Sequence, residues 1–123
     1  MRIEVYTAGI YRIVRISDAL SVISQLDELK SLIQGYLSVG ENFLAVIFTD
    51  ASYLYSGAIA VLISCFKMVR DRGGDLCIVE PKSEMMNLLR QMGIDQFISI
   101  YEKEGDLPGD PRQIEEIRTG FRG

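Results

Sequence analysis

The stretch "FLAVIF", residues 43–48, is apolar throughout, with no polar break. A strand with one face in water alternates apolar and polar residues. A continuous run therefore asks for burial on both faces, which is the condition of an inner strand in a parallel sheet. Parallel neighbours need a crossover between them, usually a helix. The next residues provide it: 57–71 are apolar almost all round until Lys67, and Gly73-Gly74 stop the helix. "DLCIVE", 75–80, then reads as a second buried strand.

The remaining segments fit around this unit. "RIEVYT" alternates as a half-buried strand does. "IYRIVRIS", with Ile10, Ile13 and Ile16 apolar and Arg12 and Arg15 between, is expected to pair with it as a hairpin through "AG". In "ALSVISQLDELKSLIQGYLSVG", Leu26, Leu29, Leu32, Ile33 and Leu37 recur at helical spacing. Ser24 with Asp27 resembles a capping box at the start, and Gly40 ends the element. Pro81 breaks the chain, Ser83 is expected to cap a helix running to Met92 with Gly93 past its end, and "FISIY", 97–101, reads as a last strand. The order β-β-α-β-α-β-α-β gives a single α/β domain over residues 1–105: a small, mainly parallel sheet with an N-terminal hairpin and covering helices. Residues 106–123 form a C-terminal extension that holds every proline except Pro81. Asp110-Pro111 there suits the start of a short helix over 111–119.

Composition removes several functions. The chain contains no histidine, so Ser-His catalysis, His-ligated metals and His-based pH sensing are out. The net charge is −4 and no region is basic, which argues against nucleic-acid binding. Cys65 and Cys77 sit in apolar segments without metal-ligand spacing and read as buried thiols. The charged N-terminal residues do not suit a signal peptide, and Gly57–Phe66 is well short of the roughly 20 residues that span a bilayer. A cytoplasmic protein without a metal or cofactor is expected.

Ser56 is the main candidate site. A residue at the mouth of a helix faces the unpaired N–H groups of the first turn and the positive end of the helix dipole, so a phosphoryl group placed there is stabilised. The plainer reading is an N-cap contributing about 1 kcal/mol. A nucleophile elbow is set aside, because Leu54 stands where glycine is needed and histidine is absent. Tyr53 and Tyr55 are candidates for a docking surface. Gly73-Gly74 reads as a helix end rather than a phosphate loop, since no Lys-Ser/Thr follows.

Two stretches resemble the STAS family, the fold of bacterial anti-sigma factor antagonists. "YLYSGAIAVLISCFKMVRDRGGDLCIVEP" is similar to that family's Asp-Ser-Ser-Gly-Leu-Gly stretch, apolar helix, Gly-Gly, strand and proline. "LLRQMGIDQFISIYE" is similar to its helix, glycine, Leu/Ile-Asp and final strand. The order of elements agrees as well, over roughly residues 1–105. The resemblance implies a non-enzymatic, protein-binding regulator of transcription whose partner is an anti-sigma factor that is also a serine kinase. It places the phosphorylated serine at Ser56; Tyr53, Tyr55, Gly57 and Ser21 are expected to join it as partner-binding residues. The family's acidic and small residues are replaced here: Tyr55 stands for an aspartate, Gly57 and Ala58 for Ser-Gly, Ser21 for an acid and Ile47 for an aspartate. Two alternatives stay open, a STAS interaction or assembly subunit without a switch, with a homodimer among its forms, and a small-ligand or nucleotide binder.

Overall fold

The computed structural model describes residues 3–16, 23–48, 56–79 and 83–109. Its elements are β1 (Ile3–Ala8), β2 (Tyr11–Ile16), α1 (Ile23–Ser38), β3 (Phe43–Phe48), α2 (Ser56–Asp71), β4 (Asp75–Val79), α3 (Ser83–Gln91) and β5 (Ser99–Tyr101). Short 3-10 turns lie at Ile94–Gln96 and Glu104–Asp106. The strands stand in chain order, β1 antiparallel to β2 and the others parallel. Each crossover thus moves one strand in the same direction. With the common right-handed connection, all three helices fall on one side of the sheet.

The packing agrees. Val14, Ile16, Leu44, Val46, Leu76 and Ile78 face the helices and form one cluster with Leu29, Ile33 and Leu37 of α1, Leu62, Cys65 and Val69 of α2, and Leu89 of α3. The alternate residues, Tyr11, Ile13, Ala45, Ile47, Cys77 and Val79, form a second buried cluster on the opposite face. Among the described residues no helix covers that face. Tyr6, Phe43, Tyr101 and Leu107 pack against it instead. The apolar run at β3 thus has the two-sided burial its composition requires. The hairpin is less simple than alternation suggests. Ile13 and Ile16 point to opposite faces, because β2 is itself an inner strand and buries both sides.

Helix ends follow glycine. Gly73 adopts φ 76, its N–H donates to the Arg70 carbonyl at 3.0 Å, and the Gly74 N–H donates to the Val69 carbonyl at 3.0 Å. This pair of bonds is a Schellman ending. α1 closes in the same way at Gly40, with φ 84 and bonds to the Leu37 and Tyr36 carbonyls. At helix starts the expectations shift. α1 is already helical at Ile23, so Ser24 lies within its first turn and not ahead of it. The last strand spans Ser99–Tyr101, and Phe97 stays outside it, 61% exposed.

One polar knot ties the amino ends of the strands together. The Tyr11 hydroxyl donates to Asp75 Oδ2 at 2.8 Å, buried, and the Asp75 N–H donates to the Asn42 carbonyl at 2.9 Å. The Asn42 side-chain amide donates to the Arg72 carbonyl at 2.9 Å, satisfying one of the free carbonyls at the end of α2. Gly74 passes so close to this point that a Cβ would stand 1.8 Å from the Asn42 carbonyl oxygen. Gly74→Ala is therefore expected to destabilise the fold by about 3 kcal/mol, since backbone must move to admit one methyl group. Gly105→Ala, with open space around it, should stay within about 0.5 kcal/mol. Urea unfolding of the two variants checks the contrast.

Burial also sets an alkaline limit. Desolvation pushes the Cys65 thiol from 9.0 up to about 11 and Tyr101 from 10.0 up to about 12, and it raises Tyr11 and Cys77 as well. These groups are neutral when protonated, and the folded chain holds their protons more tightly than the unfolded chain. Their stabilising contribution is complete below the ordinary values and is lost as pH rises through the folded ones. Stability measured by urea titration should fall between pH 9.0 and about 12. A flat profile over that window would contradict the assignment of these groups to the core.

Candidate functional site at the carboxyl edge of the sheet

Parallel strands gather their exits at one edge. Ile16 and Phe48 are register partners, as are Ile47 and Val79, so β2, β3 and β4 end nearly level. The chain leaves this edge through 17–22, 49–55 and 80–82, all outside the described residues. Ser21 lies in the first of these segments, and Tyr53 and Tyr55 lie in the second. The topology brings the ends of neighbouring strands β2 and β3 together, and so the points from which both segments depart. Edges of this kind, outside the carboxyl ends of parallel strands, are where open α/β sheets bind their ligands.

α2 starts at Ser56 itself, with Gly57 second. Ser56 is thus the first helical residue and not one position ahead of the helix. No acidic residue stands in the first turn of α2, and Arg70 stands in the last. The helix therefore has no carboxylate of its own at its positive end, an arrangement that favours an incoming anion near Ser56. Below the first turn the helix is held firmly. Leu62, Cys65 and Val69 are buried at successive turns, while Ala60, Lys67 and Arg70 face outward. The anchored helix fixes where its first residue emerges at the edge.

Ile47, which the resemblance sets against a family aspartate, is 2% exposed on the face that carries Ala45, Cys77 and Val79. Its surroundings are apolar, which suits isoleucine and would disfavour an unpaired carboxylate.

The opposite edge is polar but already satisfied. A hollow of about 210 Å³ is lined there by Thr7, Gly9, Tyr11, Arg12, Glu41 and Asn42, among others. Its cation is engaged: Arg12 Nε donates to Glu41 Oε2 at 3.2 Å, the guanidinium makes an ion pair with Glu41, and it lies 5.1 Å from the Tyr36 ring centre. Asn42 and Asp75 were not singled out by sequence reasoning. The available signal was Asp75, an acid opening an apolar strand straight after two glycines. Among the described residues no three His, Cys, Asp or Glu side chains gather to hold a metal ion, and no helix is long and apolar enough to cross a membrane.

Comparisons with known proteins agree with this architecture. The STAS domain family model matches residues 2–107. A crystal structure of a Thermotoga maritima protein, described as a candidate anti-sigma factor antagonist, superposes with a TM-score of 0.72 at 18% identity, covering 94% of each chain. The anti-sigma factor antagonist SpoIIAA in its unphosphorylated form gives a TM-score of 0.68 at 11% identity, covering 96% of this chain and 97% of that one. The phosphorylated form of SpoIIAA, a Bacillus cell-fate determinant, gives 0.64 at 12% identity, covering 95% and 100%. No curated relative matches the sequence. Fold, element order and family match lead to one assignment: the chain belongs to the STAS domain family.

Proposed function

We propose that this protein is a non-catalytic, cytoplasmic regulator of the anti-sigma factor antagonist type. It binds an anti-sigma factor that is also a serine kinase, through the carboxyl edge of its sheet. Ser56 is the residue through which binding is controlled, and Tyr53, Tyr55, Gly57 and Ser21 complete the contact surface. The observation that supports this reading most is the position of Ser56 as first residue of a firmly packed helix with no acid in its opening turn. A phosphoryl group added there brings roughly −1.5 to −2 charge and strong acceptor oxygens. Its own helix tolerates that charge, because the dipole stabilises it. A packed partner surface does not, because the charge must be desolvated against it. Modification thus reverses binding while leaving the fold intact.

A second reading has its own support. Tyr55, Ser21 and the buried Ile47 stand where the family carries acids, and a kinase that uses such acids to orient its substrate loop would act poorly here. On that reading the protein is a constitutive interaction or assembly subunit that uses the same edge without a switch.

Incubation with ATP and candidate kinases of the same genome, followed by mass spectrometric mapping, separates the two. The switch predicts phosphate on Ser56. It also predicts that Ser56→Asp binds the partner at least about tenfold more weakly than Ser56→Ala, roughly 1.4 kcal/mol, with both variants folded. If Ser56→Asp binds as tightly as wild type, the switch is wrong and the constitutive reading stands.

A further inference from the structure

The two edges of the sheet are treated differently. β5 is short, Ser99–Tyr101, which is one way of blunting an edge; the 3-10 turn after it carries Glu104 across to accept a hydrogen bond from the Tyr6 hydroxyl of β1. β1 is longer and regular: Ile3–Ala8 pairs with β2 over six consecutive positions without a bulge, and contains no proline. Nothing among the described residues pairs with its outer side.

The hairpin geometry specifies which groups that outer side presents. A two-residue turn, Gly9-Ile10, with Gly9 at φ 60, makes Ala8 and Tyr11 the closing hydrogen-bonded pair. Bonded and non-bonded pairs then alternate along an antiparallel ladder. Ala8, Tyr6 and Glu4 spend their N–H and C=O groups on β2, and Thr7, Val5 and Ile3 direct theirs outward. Among the described residues, no backbone hydrogen bond to these three occurs outside the strand ladder.

We infer that β1 is a dimerisation strand, and that the partner it fits is β1 of a second copy of this chain, paired antiparallel about a two-fold axis at Val5. This register sets Val5 opposite Val5 of the second copy and Ile3 opposite its Thr7. The residues with outward backbone groups therefore meet one another and exchange hydrogen bonds. Side chains agree with the register. Val5 is 38% exposed, large for an apolar residue in a strand, and the axis buries it against its own copy. Glu4 falls opposite Tyr6 and not directly opposite its own copy, and Arg15 stands beside Glu4 in the hairpin, so charge repulsion across the seam is small. The dimer extends the sheet continuously across the two chains and leaves both carboxyl edges open for a partner.

Sedimentation velocity on the intact chain, over a micromolar to millimolar series, reads the association. Wild type is expected to shift from monomer to dimer. Val5→Pro removes one outward N–H without touching the ladder to β2, so it should stay monomeric where wild type is dimeric, with an unchanged far-ultraviolet spectrum. Val5→Lys sets like charges opposite each other at the axis and should abolish the dimer as well; it carries the test if the proline variant fails to fold. In the wild type, the amides of Ile3, Val5 and Thr7 should gain hydrogen-exchange protection with concentration. A wild type that is monomeric throughout overturns the inference, as does a dimer retained by either folded variant or a dimer that leaves these amides unprotected.

Discussion

Burial of β3 on both faces is the constraint on which the rest of the structure depends. Leu44 and Val46 pack toward the helices, and Ala45 and Ile47 pack to the other side. A strand with no wet face needs parallel neighbours reached by crossovers. Those crossovers place α1, α2 and α3 together on one side and leave the second face to be closed by rings and by Leu107. Removing polar surface from the middle of the sheet also pushes polar chemistry to its two ends.

The ends differ in kind. At the amino end, Tyr11, Asn42, Asp75 and the glycine turn at 73–74 satisfy one another, and Arg12 is spent on Glu41 and Tyr36. That end fixes the strands relative to the helix that follows them. At the carboxyl end, three connections leave from strands that stop nearly level, and α2 presents its positive terminus with Ser56 first. A rigid, self-satisfied end that fixes the level strand exits of the other is a suitable platform for a protein contact. On the function proposed above, a charge added at the carboxyl end acts on the partner and leaves the core undisturbed.

Much of this was legible in the residues. Six uninterrupted apolar residues at 43–48, an apolar helix and Gly73-Gly74 specify the central βαβ unit, and part of the family likeness rests on its helix, glycines and second strand. Less was legible where two principles compete. Ile10, Ile13 and Ile16 suggest a spacing that a strand buried on both faces does not follow, since Ile13 and Ile16 face opposite ways. Ser24 looks like a cap but lies inside the first turn of α1, because Ser-x-x-Asp also occurs where a helix is already under way. The Asn42–Gly74 contact could not be read at all: it joins residues brought together only by parallel pairing of β3 and β4. For the site, the sequence indicated Ser56 and its helix. Ser21, Tyr53 and Tyr55 lie outside the described residues.

The central claim is that the carboxyl edge is the partner surface. Amide chemical-shift mapping of the isotopically labelled protein, titrated with an ATP-binding anti-sigma factor of the same genome, tests it most directly. The account predicts that the largest changes cluster at residues 16–23, 48–60 and 79–83, with residues 9–12, 40–43 and 72–75 unmoved. Saturable changes centred on the amino edge, with the first turn of α2 silent, would contradict it.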